Sequence, residues 1–393
     1  MPKTFSESAA LKLLMELIPI PGKSCEEAEI AQRIIKKAKA AGVPDAAIKI
    51  DSAHKKSPYG GDCGNLIIKL KGTVKAPRRL LMAHIDTVPL CVGARPVRDG
   101  AIIRPKDSNT ALGGDDRAGT TVLLSTLLTI LKQKLQHPPL TFFWPVQEEI
   151  GLVGVKHVSV RDLGTPKLCF NWDGHSAAGI TIGATGAFNI KIDVHGIAAH
   201  AGMHPELGIP AMGIASVAIA DLIENGWHGL VEQGSKRGTC NLGIINGGDA
   251  TNVVNDRCTI WGEVRSHDEK FRQRILKEIE KAFQRAAKKL KSADGKTGSF
   301  DFDWDVKYPA FLISKKEACV QAAKQAVEKT DLEPHFIVAN GGLDANYLSD
   351  HGFPTVTLGC GETNVHTTSE HVVIEDFLNA CRIALHLATD TES

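Results

Sequence analysis

Two kinds of strand pattern divide this chain of 393 residues, and together they restrict its fold more than any other feature. In the first and last parts of the chain, hydrophobic residues form short uninterrupted runs, as in parallel strands that are covered on both faces. These runs are residues 66–68, 80–83, 140–146, 168–170 and 354–358. Helical patterns separate them, including one that runs from a Ser24/Glu27 capping box to Gly42. The pattern predicts an α/β domain with a mostly parallel sheet.

The middle third of the chain has a different pattern. Hydrophobic and polar residues alternate from Phe188 to Val194 and again from Phe300 to Tyr308, which indicates antiparallel strands with one wet face. Between them we predict a helix near 210–225, strands near 239–245 and 257–265, and a helix over 268–291. The order β-α-β-β-α-β is the ferredoxin-like split βαβ arrangement. The sequence therefore predicts a catalytic domain of residues 1–183 and 311–393, interrupted by an inserted α+β lid domain of residues 184–310.

Histidine and carboxylate side chains stand at or just beyond the ends of buried runs. They are His84 and Asp86, Asp115 and Asp116 after a Gly-Gly turn, Glu148 and Glu149, Asp173, and His366. Open α/β sheets bind ligands at the carboxyl ends of their strands. Two histidines and three carboxylates, with further carboxylates left for acid–base work, fit a pair of divalent metals that share one bridging carboxylate.

Each of these motifs has an ordinary structural explanation when it is taken alone. A His-x-Asp at a strand end is commonly a satisfied hydrogen-bonded pair, Asp-Asp before a helix is commonly a cap, and Glu-Glu is commonly part of a solvated loop. Five separate clusters of acid or imidazole are much harder to explain in this way. The combination therefore favours the metal site.

Composition argues against several classes of function. The formal net charge of +1 gives no electrostatic reason to expect nucleic acid or a membrane surface as a partner, and no apolar run is long enough to span a bilayer. The nine cysteines are odd in number and lack a Cys-x-x-Cys pair, which favours reduced thiols over a disulfide scaffold. The N-terminal segment has amphipathic helical spacing rather than the pattern of a signal peptide. We therefore expect a cytoplasmic enzyme.

The motifs, taken in order, resemble those of the dinuclear-zinc exopeptidase family that includes peptidase T, glutamate carboxypeptidase, aminoacylase and succinyl-diaminopimelate desuccinylase. The resemblance covers nearly the whole chain. It rests on His84-Ile85-Asp86-Thr87-Val88-Pro89, Gly114-Asp115-Asp116-Arg117-Ala118-Gly119, Gln147-Glu148-Glu149-Ile150-Gly151, Asp173-Gly174, His200-Ala201-Gly202 with Pro205, Gly341-Gly342-Leu343-Asp344-Ala345, and His366 with Glu370. Members of this family carry an inserted lid domain, in agreement with the alternating middle third.

The resemblance implies which side chains hold the metals. Asp115 would bridge two zinc ions and would be joined to the next residue by a cis peptide bond. His84 and Asp173 would complete the ligands of one ion, and Glu149 and His366 those of the other. Cobalt or manganese would be able to substitute for zinc, because ligands of this type follow the general divalent affinity order.

Further residues acquire roles from the same resemblance. Glu148 would be the general base that takes a proton from the attacking water, and Asp86 would fix the ring of a metal-binding histidine. In the lid, His200 would stabilise the oxyanion, Arg265 would grip the substrate carboxylate with its guanidinium fork, and Asn252 would help to position the substrate. A surface histidine, a structural salt bridge and an ordinary turn asparagine are the alternative interpretations of these three lid residues.

Fewer residues indicate the branch of the family. Asp173, between Trp172 and Gly174, resembles the peptidase T side, whereas Asn340 and Leu343 replace an arginine and a threonine that are common there. We expect an aminopeptidase that releases the N-terminal residue of tripeptides or other short peptides. A carboxypeptidase or an N-acyl amino-acid deacylase is the alternative within the family, and a non-catalytic peptide-binding module is the alternative outside it. The expected partners are a small peptide substrate and a second copy of the chain, bound through the lid as a homodimer.

Overall fold

The computed structural model describes residues 5–390, which divide into two compact units. The main unit contains the chain up to Ala184 and from Leu312 onward, and the inserted unit is Thr185–Phe311. The inserted unit therefore begins and ends one residue later than the sequence pattern predicts. Among the described residues, no helix is long and apolar enough to cross a membrane.

The described residues form ten α-helices and twenty β-strands. The helices are α1 (Glu7–Leu17), α2 (Ala28–Ala40), α3 (Gly114–Gln133), α4 (Val153–His157), α5 (Val160–Leu163), α6 (Ala211–Glu224), α7 (Glu269–Lys289), α8 (Ala318–Glu328), α9 (Asp344–Asp350) and α10 (Ile374–Thr389). The strands are β1 (Ile48–Ile50), β2 (Leu66–Leu70), β3 (Arg79–Met82), β4 (Pro96–Asp99), β5 (Ile102–Pro105), β6 (Leu140–Trp144), β7 (Leu168–Trp172), β8 (Gly179–Ala184), β9 (Gly186–His195), β10 (Ala199–His200), β11 (Gly229–Gln233), β12 (Lys236–Gly247), β13 (Val253–Val254), β14 (Arg257–Ser266), β15 (Ser299–Tyr308), β16 (Phe311–Leu312), β17 (His335–Ala339), β18 (Thr355–Leu358), β19 (Glu362–Thr363) and β20 (His371–Val373).

The main unit is built on a nine-stranded sheet. Its strand order is β1-β2-β6-β3-β7-β18-β8-β16, and β17 lies beside β8. The four central strands β6, β3, β7 and β18 are mutually parallel. The predicted α/β fold with a mostly parallel central sheet is confirmed. A smaller sheet, of order β19-β20-β5-β4, adjoins the loop that contains His366.

The prediction that the apolar run of residues 66–68 forms a parallel strand is wrong. The residues of β2 are antiparallel to both β1 and β6, although their sequence predicts a parallel strand. Leu66, Ile67 and Ile68 are all fully buried. The run is continuous because both faces of β2 are covered, and burial of this kind leaves no mark of strand direction in the sequence.

Helix packing fixes the central strands. One hydrophobic cluster contains alternate residues of these strands, including Phe142, Trp144, Phe170 and Trp172, together with the apolar faces of α1, α2, α3, α8 and α10. Close-packed interiors resist small displacements. The carboxyl ends of the central strands therefore form a firmly held edge.

The predicted capping box at Ser24 and Glu27 is wrong. Helix α2 begins at Ala28, and the Glu27 carboxylate accepts hydrogen bonds from the N–H groups of Cys25 (3.0 Å) and Gln147 (3.1 Å) instead. Ser24 donates its hydroxyl hydrogen to Asp86. Both side chains therefore tie the start of α2 to the segments that follow β3 and β6.

The inserted unit is an antiparallel sheet covered by two helices. Its strand order is β11-β12-β14-β9-β15, and the strands β9, β12, β14 and β15 with α6 and α7 give the predicted βαββαβ arrangement. Phe188, Ile190, Ile192 and Val194 face the helices in a separate hydrophobic cluster. Strand β11 was not predicted, because residues 229–233 lack a regular alternation of apolar and polar side chains.

Candidate metal centre

Most of the predicted metal ligands follow the central strands of the main unit. His84 comes two residues after β3, Glu149 follows β6, and Asp173 comes directly after β7. Because these strands are parallel, their carboxyl ends lie at the same edge of the sheet. Asp115 reaches this edge from the start of α3, and His366 reaches it from the loop after β19.

Two groups of donor atoms meet at this edge and share Asp115. The first contains His84, Asp115 and Asp173, with His84 Nε2 3.0 Å from Asp115 Oδ1. The second contains Asp115, Glu149 and His366, with His366 Nε2 3.2 Å from Asp115 Oδ2 and 2.9 Å from Glu149 Oε2. Within each group the donor atoms lie within 4.8 Å of one another. Asp115 therefore presents one carboxylate oxygen to each group, which is the geometry of a bridging ligand.

The donor set fits divalent metals. Each group offers one imidazole nitrogen and two carboxylates, the ligand types that zinc and other first-row divalent ions accept. Hydrogen bonds to Asp115 and Glu149 raise the pKa of His366 to about 10, so this ring holds a proton at neutral pH unless a metal replaces it. Metal binding at the second group would therefore be coupled to proton release.

Asp86 is a buried carboxylate that contacts several residues of the candidate site. Its side chain is fully buried, with Oδ1 3.4 Å from His84 Nδ1, and it accepts hydrogen bonds from Ser24 Oγ (2.7 Å), the N–H of Glu148 (3.0 Å) and the N–H of Glu149 (3.2 Å). Burial alone would raise the pKa of Asp86, but these partners, chiefly His84, hold it below its usual value. The carboxylate thus stays charged and positions the Glu148–Glu149 backbone, whereas His84 Nδ1 lies nearest to the backbone carbonyl oxygen of Asp86 (3.1 Å). The hydrogen bonds from the Glu148 and Glu149 N–H groups to Asp86 were not predicted from the sequence.

The segment before Asp115 is held by Glu370. This buried carboxylate accepts hydrogen bonds from the N–H groups of Leu112 (2.8 Å), Gly113 (2.8 Å) and Asp115 (3.0 Å). The peptide bond from Asp115 to Asp116 is cis, as the resemblance predicted. The sequence motif includes Glu370. Its hydrogen bonds to three N–H groups of a loop more than 250 residues away cannot be predicted from the local sequence.

Asp116 points away from the shared ligand. Its carboxylate accepts hydrogen bonds from the N–H groups of His84 (3.0 Å) and Gly119 (2.8 Å), and it lies in a third, fully buried group with Cys360 and Glu362. Burial raises the pKa values of the Asp116 and Glu362 carboxyls well above their usual range; the charge of Asp173 raises that of Asp116 further, and the charge of Asp116 raises that of Glu362. This group was not predicted, since its members are ordinary polar residues in the sequence.

Glu148 belongs to neither ligand group. Burial raises the pKa of its carboxyl well above the usual value, and the nearby carboxylates of Asp173 and Asp344 raise it further. Asp344 is itself buried, and neither of its carboxylate oxygens has a hydrogen-bond partner among the described protein atoms. Asp344 stands in the Gly341-Gly342-Leu343-Asp344-Ala345 motif, but the motif does not indicate what surrounds its side chain.

The three remaining predicted site residues lie in the inserted unit. His200, in β10, is exposed and its Nδ1 accepts a hydrogen bond from the N–H of Gly202 (3.2 Å). The carbonyl oxygen of Asn252 accepts a hydrogen bond from the N–H of Ala201 (2.9 Å), so His200 and Asn252 belong to neighbouring segments. Arg265, on β14, forms a bidentate ion pair with Glu263.

Two family profiles match the chain. The peptidase dimerisation domain of the M20 family matches residues 182–291, which contain most of the inserted unit but not β15. Peptidase family M28 matches residues 65–190, a region that contains His84, Asp115, Glu149 and Asp173.

Other proteins are similar to this chain over nearly its whole length. The chain is 30% identical over 381 residues to the uncharacterised protein YqjE of Bacillus subtilis, covering 97% of each chain. It is similar to the solved structure of a tripeptidase from Staphylococcus aureus (29% identity, TM-score 0.87, 98% of each chain). It is also similar to aminopeptidase PepT from Bacillus cereus (29% identity, TM-score 0.84, 98% of each chain). The chain therefore belongs to the M20 family of metallopeptidases, within which it is peptidase T-like.

Proposed function

We propose that this peptidase is a metal-dependent aminopeptidase that releases the N-terminal residue of tripeptides and other short peptides. The observation that supports it most strongly is the pair of ligand groups that share Asp115, with Glu148 beside them and outside both. Two similar solved structures are those of a tripeptidase and an aminopeptidase, which favours this substrate class.

Two zinc ions would occupy the two groups, and cobalt or manganese would be able to replace them. His84, Asp115 and Asp173 would hold one ion, and Asp115, Glu149 and His366 the other. When bound, a metal pair of this kind makes a water acidic enough to react at neutral pH and polarises the scissile carbonyl.

In this proposal the protein side chains move the protons and hold the substrate. Glu148 takes the proton of the attacking water and delivers it to the leaving amine, a role that suits a carboxyl with a raised pKa. Asp86 keeps Glu148 and Glu149 in place through their N–H groups. Among the lid residues, His200 stabilises the oxyanion and Asn252 positions the peptide.

Arg265 is proposed to bind the C-terminal carboxylate of the peptide. Its guanidinium lies on the wet face of the inserted sheet and is about one-third exposed (30%), so it is accessible to a ligand. A guanidinium fork pairs with a carboxylate through two parallel hydrogen bonds. Free peptides should therefore be better substrates than the same peptides with an amidated C-terminus.

The direction of cleavage is tested with a tripeptide of three different residues. Mass spectrometry of the products should show the N-terminal amino acid and the remaining dipeptide. Release of the C-terminal residue would favour a carboxypeptidase, and rapid hydrolysis of N-acyl amino acids with no action on the tripeptide would favour a deacylase. Absence of any cleavage by the metal-loaded protein would favour a peptide-binding module.

The metal requirement is tested on the same peptide. Dialysis against a chelator should abolish cleavage, and Zn²⁺, Co²⁺ or Mn²⁺ should restore it. Elemental analysis of each sample should show two metal ions per chain in the restored enzyme. Full turnover in a preparation shown to be metal-free would contradict the proposal.

The cellular location is proposed on the state of the cysteines. All nine thiols are unpaired, and eight of them are buried. Thiols of this kind remain reduced in the cytoplasm, where we expect the enzyme to work.

A further inference from the structure

Arg265 is held along one edge of its guanidinium by a neighbour on the same strand. Arg265 Nε donates to Glu263 Oε1 (2.7 Å), and Arg265 Nη2 donates to Glu263 Oε2 (3.1 Å). Residues two apart on a strand lie on the same face of the sheet, which allows this pairing. The contacts use the Nε–Nη2 edge, so the end of the guanidinium that carries Nη1 points to a different side and is geometrically separate from Glu263.

A second cation reaches the same carboxylate. Lys307 Nζ lies 3.4 Å from Glu263 Oε2. The register between β15 and β9 shifts between Val306 and Tyr308, so Lys307 sits at a bulge. A bulge re-aims the side chain of the extra residue. This placement allows Lys307 to reach across β9 to β14.

The three side chains share similar surroundings. Arg265 and Lys307 are 30% exposed and Glu263 is 27% exposed. Partial burial would raise the pKa of Glu263, but the hydrogen bond from Arg265 and the charges of Arg265 and Lys307 hold it below its usual value. Glu263 is therefore ionised at neutral pH, and the cluster of two cations and one carboxylate has one positive charge in excess.

We propose that Lys307 is a specificity-determining residue, which neutralises Glu263 so that the positive charge of Arg265 remains available to the C-terminal carboxylate of the peptide. The inference rests on the proposed role of Arg265. Without Lys307, the peptide carboxylate would approach an Arg265–Glu263 pair of no net charge, in which Glu263 repels it. With Lys307 present, Glu263 still orients the guanidinium. The charge of Lys307 then offsets the repulsion between Glu263 and the peptide carboxylate.

A double-mutant cycle of Lys307 and Glu263 tests this proposal. Lys307→Gln should raise KM for a free tripeptide about two- to fivefold, the range expected of a partly exposed charge interaction. The kcat of this variant, and its KM for the C-terminally amidated peptide, should not change. Adding Glu263→Gln to Lys307→Gln removes the uncompensated carboxylate and restores one positive charge in excess, so KM for the free peptide should return toward the wild-type value.

A matched control is available on the same sheet. Lys191, on β9, pairs with Asp193 at 2.6 Å, also on the polar face. Lys191→Gln should leave KM for both peptides unchanged, and all variants should melt at similar temperatures.

The outcomes separate the inference from the proposal on which it rests. If the wild-type enzyme has the same KM for free and amidated peptides, the role of Arg265 is wrong and the inference falls with it. If the wild type distinguishes the two peptides but Lys307→Gln does not alter KM, only the inference is overturned. A raised KM that the double variant fails to recover would also overturn it, because Lys307 would then act by direct contact rather than by neutralising Glu263.

Discussion

Glu148 and Glu149 are adjacent in sequence but have different surroundings. Glu149 lies 2.9 Å from His366 within a ligand group, whereas Glu148 lies outside both groups. Asp86 accepts a hydrogen bond from the N–H of each, and the preceding Gln147 has a left-handed backbone conformation (φ 57°). The irregular backbone after β6 allows two successive side chains to serve different tasks.

Substitution of the two glutamates should therefore separate catalysis from metal binding. Glu148→Ala should keep both metal ions and lower kcat by about two to four decades, the usual contribution of a general base. Glu149→Ala should lose an ion, because one ligand group would retain only Asp115 and His366. Elemental analysis and steady-state kinetics on the same samples provide the measurement. Equal metal contents in the two variants would mean that their roles are assigned wrongly.

At the residue scale, the sequence predicts which residues belong to the candidate site better than it predicts the contacts of their side chains. His84, Asp115 and Asp173 were singled out because each stands at a strand end or a helix start. The surroundings of Asp344 and Glu362 could not be inferred, since their neighbours come from distant parts of the chain. Such contacts depend on how the elements pack, which a local pattern does not record.

At the scale of single elements, the loop that carries Asp115 depends on the segment that precedes β20. Glu370 stands just before this strand and accepts three N–H groups from residues 112–115. These groups would otherwise be buried donors without partners, each costing about 1–3 kcal/mol. The position of Asp115, the candidate shared ligand, is thus fixed by a carboxylate that belongs to neither ligand group.

Glu370→Gln should weaken this loop, because an amide nitrogen cannot accept a hydrogen bond. We expect metal affinity to fall by about ten- to a hundredfold, as is common when a group that orients a ligand is lost. Competition with a chromophoric chelator measures this affinity. Glu375→Gln, an exposed position at the start of α10, is the control and should bind metal normally. Unchanged affinity in Glu370→Gln would show that the loop holds its shape without the carboxylate.

Elements with a strong pattern were predicted well, and elements defined by their partners were not. Helix α7 begins as predicted, with the Asp268 side chain accepting the N–H of Phe271 (3.0 Å). The capping box at Ser24 failed because Glu27 finds partners in a distant loop. Strand β11 was missed because it is an edge strand with few buried side chains, so its sequence carries little alternation.

At the scale of the whole molecule, the proposed chemistry is divided between the two units. The candidate metal ligands and Glu148 belong to the main unit, whereas His200, Asn252 and Arg265 belong to the inserted unit. Sequence patterns distinguish these units because one sheet is buried on both faces and the other on one face only. The sequence analysis also predicts a second copy of the chain bound through the inserted domain, but the strand patterns do not indicate which surface of that domain would pair.

The inserted sheet leaves part of one strand available for pairing. Within residues 5–390, β11 covers only Lys236–Cys240 of β12, whereas β14 pairs along both halves of β12. Beyond Cys240, Ile244 and Ile245 are 55% and 49% exposed. Exposed apolar edge strands are templates for pairing with another chain. This segment lies inside the region that matches a peptidase dimerisation domain.

We expect the protein to be a homodimer that pairs through this part of β12. Ile245→Lys should convert the dimer to a monomer, because a lysine at an edge position opposes pairing with another strand. Light scattering after size-exclusion chromatography measures the mass. Ile50→Lys introduces the same charge at an exposed isoleucine of the main unit (38% exposed) and should remain dimeric. Thermal melting of both variants checks that the fold is kept. A wild-type protein that is monomeric at micromolar concentration, or a dimer that survives Ile245→Lys, would exclude this edge as the interface.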